Sequence, residues 1–169
     1  MSRIKKIRIA VLAIVGLLLL FGIWYQYRYS MDKAETFQVN SSVDTSNTFL
    51  IATQGSDFKN SITQHIVNHF KAKAIFINVI DISELEIIEP TDYNAMLIIH
   101  TWENWKPPIS VEHFINRSKA YKDRIVVITT SGEGSYKMTE VDAITGESKT
   151  ENIIPITKLA INKLELILN

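Results

Sequence analysis

The apolar residues of this chain fall into two regimes. From Ile9 to Trp24 (IAVLAIVGLLLLFGIW) every position is apolar apart from two glycines, and residues 9–27 carry no formal charge. Those nineteen residues predict a helix of about 28 Å, close to the roughly 30 Å hydrocarbon core of a bilayer. Beyond residue 47 the apolar residues come in short runs instead. Thr48–Thr53 (TFLIAT), Ala74–Ile80 (AIFINVI), Met96–His100 (MLIIH), Ile125–Thr130 (IVVITT) and the weaker Val141–Ile144 predict five strands. Between and after them, three segments have helical spacing: Ile62, Ile66, Val67 and Phe70; Val111–Tyr121 with Val111, Phe114, Ile115 and Ser118; and Ile156–Leu168. Near-continuous apolar strands alternating with amphipathic helices predict an α/β fold, a parallel sheet covered on both faces. Five strands in a region of this length suit the doubly wound order 2-1-3-4-5.

This pattern divides the chain into a basic flank and apolar helix (1–29), a polar tether (30–47, SMDKAETFQVNSSVDTSN) and one α/β domain (48–169). Trp24, Tyr25, Tyr27 and Tyr29 gather at the end of the apolar run, where amphipathic rings favour a membrane interface. The expected partner of residues 9–27 is therefore the lipid bilayer. A cleaved signal peptide is the alternative, since RIKKIR makes a basic n-region, but Tyr-Gln-Tyr-Arg-Tyr stands where small residues are needed for cleavage. Arg3, Lys5, Lys6 and Arg8 precede the helix, while Arg28 and Lys33 beyond it are accompanied by Asp32 and Glu35. The positive-inside rule then predicts a single-pass protein with its N-terminus in the cytoplasm and its domain on the other side.

Charge sharpens this division. The chain balances 18 Lys and Arg against 18 Asp and Glu, but five of the basic residues and no acidic ones lie in the first thirty positions. The rest, with 13 basic and 18 acidic side chains, is net acidic, which argues against a nucleic-acid partner. Without cysteine there are no disulfides, thiolate metal sites or cysteine nucleophiles. His65 and His69 have i,i+4 spacing, but no Glu completes an H-E-x-x-H motif, and they read as helix-surface residues.

In a doubly wound sheet, ligands lie beyond the carboxyl ends of the strands. The segments to inspect are therefore Gln54–Ser61, Thr101–Pro108 and Ser131–Tyr136. The first (TQGSDFKNS) offers Thr53, Gly55, Ser56, Asn60 and Ser61 beside a helix start, a setting for a phosphate. Capping of the helix by Ser56 or Asp57 explains the same residues. The second (HTWENWKPP) carries Thr101, Trp102 and Trp105, and two tryptophans in a polar loop suit either ring stacking or packing against the sheet edge. The third (TTSGEGSYK) has Ser131, Gly132, Gly134 and Tyr136.

On these residues, the region from Phe49 to Leu168 resembles the flavodoxin-like family. Thr101-Trp102 followed by Pro107 is similar to that family's second-loop pattern, and Gly132-Glu133-Gly134-Ser135-Tyr136 to its third. The resemblance implies FMN as cofactor, its phosphate at the first loop and its ring between aromatics of the other two. It also implies electron transfer, or reduction of a small acceptor, with a redox or membrane protein as partner. Two positions depart from the pattern. Ala52-Thr53-Gln54-Gly55-Ser56-Asp57 stands in place of Thr-x-Thr-Gly-x-Thr, and Ser135 stands where an acidic residue is usual. A cofactor-free module that binds a partner protein or small ligand at the membrane surface is the alternative. Val141-Asp142-Ala143-Ile144-Thr145-Gly146 is also similar to the signature of domains that attach FMN covalently through a threonine. Glu147-Ser148 follows here, so the acceptor threonine is absent, and a strand ending in a Gly turn explains the segment as well.

Overall fold

The computed structural model describes residues 2–29, 31–41, 47–103 and 106–168, and it separates into two units, 1–31 and 32–169. The first unit is helix α1, Arg3–Tyr29, which is long and apolar enough to cross a membrane and buries none of that stretch. A leader peptide passes the same test of length and composition.

The second unit is an α/β domain. Its central strands β3 (Thr48–Gly55), β4 (Phe76–Asp81), β5 (Ala95–Thr101), β6 (Ile125–Thr130) and β7 (Asp142–Gly146) are parallel neighbours in the order β4-β3-β5-β6-β7. In chain order that is the predicted 2-1-3-4-5. Such a sheet needs cover on both faces, and the apolar residues supply two cores. On one face α2 (Asp57–Phe70) and α4 (Ile153–Leu168) enclose Phe49, Ile62, Ile66, Phe70 and Leu164. On the other, the 3₁₀ turn Ile82–Ile87 and α3 (Ile109–Arg117) enclose Leu50, Leu85, Met96, Phe114 and Val127. Arg117 fixes that 3₁₀ turn by donating to the carbonyls of Leu85 (2.5 Å) and Ile88 (2.6 Å).

Two strands lie where a tether is expected. β1 (Asp32–Lys33) pairs antiparallel with Gly55 and Gln54 at the end of β3, and β2 (Phe37–Val39) pairs antiparallel with β4. The sheet therefore has seven strands rather than five, and residues 32–39 belong to the domain. The physical reason is that β2 sits at the sheet edge beyond β4 and β1 extends the carboxyl end of β3, each paired on one side only, so a few polar residues suffice. The Ala34 N–H donates to Asp81 (2.8 Å), and Asn40, at φ 61°, donates to the carbonyls of Lys71, Lys73 and Ile75. Residues 42–46 of the expected tether lie outside the described residues.

Candidate functional site

The carboxyl ends of β3, β5 and β6 do meet, but the first of the three expected loops is not a loop. β3 runs to Gly55 and α2 begins at Asp57, so Ser56 alone connects them. Ser56 is the N-cap: its hydroxyl accepts from the Lys59 N–H at 3.3 Å. Asn60 and Ser61 belong to the helix, with Asn60 exposed and Ser61 Oγ donating to the Asp57 carbonyl. The buried Thr53 donates to the carbonyl of Gln54. Gly55 is enclosed by β1, since a Cβ there would lie 2.5 Å from the Lys33 carbonyl oxygen.

A polar cluster occupies the space above this turn. Gln54 accepts from the Thr101 N–H at 2.7 Å and donates to Glu103 at 3.3 Å, so the end of β3 is tied to the end of β5. Lys59 is fully buried, its ammonium 3.5 Å from Ser56 Oγ. Burial lowers its pKa to about 8, against the pull of the Glu103 charge. His100 is equally buried, with Nδ1 at 3.2 Å from the Thr101 carbonyl and Nε2 at 3.2 Å from Thr129 Oγ1. Burial lowers its pKa to about 4, despite the Thr101 contact and with help from the Lys59 charge. Its imidazole is therefore neutral at pH 7. Gln54, Lys59, His100 and Glu103 were not among the sequence candidates. One signal was available: Lys59 lies three and seven positions before Ile62 and Ile66, on the helix's apolar stripe.

The other two loops come together. Thr101 Oγ1 lies 3.0 Å from Thr130 Oγ1, and the Trp102 N–H donates to the Thr130 carbonyl at 2.7 Å. The Trp102 ring stacks on Tyr136, with centroids 5.7 Å apart and planes within 3°. Gly134, at φ 63°, turns the third loop by donating to Ser131, and a Cβ there would meet the Glu147 nitrogen at 2.9 Å. Gly132 faces open space. Trp102 Nε1 and Ser131 Oγ are buried and have no hydrogen-bond partner among the described residues. Trp105 lies outside the described residues. His69 bonds Glu165 at 2.9 Å, and Val141–Gly146 supplies strand β7.

No family model matches the chain, and no curated protein matches it in sequence. Solved structures do match in shape. A flavodoxin from the domain Archaea has a TM-score of 0.49 and 13% identity, over 72% of this chain and 99% of that one. Oxidised flavodoxin 2 from Bacillus cereus has 0.48 and 15%, over 70% and 99%. The flavodiiron protein from Giardia intestinalis has 0.51 and 6%, over 75% of this chain and 37% of that one. The fold is flavodoxin-like.

For such a fold, FMN can be tested against the residues at this edge. A phosphate needs several free backbone N–H groups in a concave turn. The flavodoxin-like domain offers a one-residue turn, closed on one side by the Lys33 and Asp32 carbonyls and on the other by Gln54. A ring held between Trp102 and Tyr136 needs about 7 Å between their planes, twice the usual stacking distance, yet the two ring centroids are 5.7 Å apart. The residues present do not fit FMN in this arrangement.

Proposed function

We propose that the chain is a single-pass membrane protein whose flavodoxin-like domain works as a binding module at the bilayer surface without a resident FMN. The observation that carries this reading is the Gln54–Thr101–Glu103 tie with Lys59 buried beside it, which puts the chain's own side chains at the end of β3, where the resemblance implies a phosphate loop. A buried polar network with its partners in place rigidifies the edge it occupies. The uncharged span 9–27 of α1 supports the anchor, and the basic residues before that span support a domain on the non-cytoplasmic side. A partner protein or small ligand is then the object of binding.

A visible absorption spectrum of the full chain, extracted in mild detergent, tests the reading. The expected result is no flavin band, and undiminished fluorescence of added FMN. A stoichiometric flavin band overturns it. One observation favours a second reading, electron transfer through FMN: Trp102 and Tyr136 carry aromatic planes, beside buried donors that lack partners. The same spectrum decides between the two.

A further inference from the structure

The connection from β6 to β7 is unusual for parallel neighbours. A crossover of this kind ordinarily carries a helix, yet residues 131–141 contain none. Their apolar members Met138 and Val141 pack against the core on the α3 face, which places the connection there. The strip of that face beside α3 has no helix over it, and a cavity of about 460 Å³ opens on it. That volume is within the ordinary range for small-molecule sites, roughly 300–1,000 Å³.

The lining is chemically mixed. Trp102 gives an aromatic wall, and Ile115 and Met138 give apolar surface. Lys106 and Lys137, both exposed, stand at the cavity with no ion pair or side-chain hydrogen bond among the described residues. Of the two carboxylates there, Glu112 and Glu140, the second lies 3.8 Å from Lys119. The wall thus offers a ring face and two ammonium groups, which face Glu112 and a Glu140 shared with Lys119.

We infer that this cavity binds a planar aromatic carboxylate, its ring against Trp102, Ile115 and Met138 and its carboxylate toward Lys106 and Lys137. An aliphatic acid would leave the indole wall unused, and a neutral ring would leave the two ammonium groups only Glu112 and a Glu140 shared with Lys119 as counter-charge. The inference rests on reading this edge as a ligand edge, but it uses none of the Gln54–Lys59 cluster.

The test uses the full chain in discs of neutral phosphatidylcholine, with empty discs as control and 2-naphthoate as probe in equilibrium dialysis. Saturable binding above the control is expected, with 2-naphthamide and cyclohexanecarboxylate each about tenfold weaker. Lys106→Gln with Lys137→Gln is expected to cost naphthoate about tenfold and to leave naphthamide unchanged. Met138→Trp fills the cavity and abolishes naphthoate binding. Should that variant unfold, Asn116→Trp fills the cavity from an exposed helix position to the same effect. No saturable binding by the wild type, an unchanged lysine variant, or full binding by a folded filled variant overturns the proposal. Flavin colour in discs that also bind naphthoate overturns only the cofactor-free reading. Colourless discs that do not bind naphthoate overturn only the cavity.

Discussion

The two ends of the sheet's carboxyl edge have been treated in opposite ways. At the β3 end, β1 closes over Gly55, Gln54 bridges to Thr101, and Lys59 lies beneath, so a strand-end crevice has become interior. At the β6 end the chain crosses to β7 without a helix, Gly132 faces open space, and a cavity remains beside Trp102. Both ends share one topology. Topology places a crevice at the switch point; the side chains and short edge strands around it decide whether any of it stays open.

The largest expected effects lie in the closed end's buried bases. His100 folds neutral, with a pKa of about 4 against 6.5, so its stabilising effect is full above pH 6.5 and is lost as pH falls through 4. Over that window the wild type should lose up to about 3 kcal/mol. His100→Gln, which cannot titrate, should flatten the urea midpoints measured between those pH values. Lys59 has a folded pKa of about 8 against 10.5, so the unfolded chain holds the extra proton and stability rises with pH across that window. The rise is again up to about 3 kcal/mol, and Lys59→Met should abolish it. A variant that retains the wild-type slope means that the residue is not buried as described.

The two glycines compare the ends directly. Gly55→Ala drives a methyl into the backbone of β1 and should cost about 2 kcal/mol in urea unfolding. Gly132→Ala meets nothing within 4 Å and should change stability by less than about 0.5 kcal/mol. Equal costs would dissolve the contrast. Between the two glycine variants falls Tyr136→Ala, about 1 kcal/mol from the lost stack on an exposed ring, with a change in Trp102 fluorescence as its signature.

Much of the sheet is legible in the sequence because β3, β5 and β6 are buried on both faces and must be apolar throughout. β1 and β2 are not legible. Asp32-Lys33 and Phe37–Val39 are too short and too polar to show a period, and their pairing comes from edges that exist only after the sheet forms. The meeting of the strand ends is legible, and the local structure at the first of them is misread. Thr101, Trp102, Ser131 and Tyr136 gather as their strand ends dictate, whereas Asn60 and Ser61 enter α2 because Ser56 caps it sooner than a Gly-Ser-Asp turn suggests. Lys59 and Gln54 escape because charge and amide read as solvated unless their place on the buried stripe is weighed.

The edge strands also set a schedule. Asp32 and Lys33 wait for Gln54 and Gly55, and Phe37–Val39 waits for Ile77–Val79, so β1 cannot lock before residue 55 has been synthesised, nor β2 before residue 79. While the ribosome adds the forty residues after Val39, β2 stays unpaired, so the complete sheet cannot yet stand behind the apolar helix.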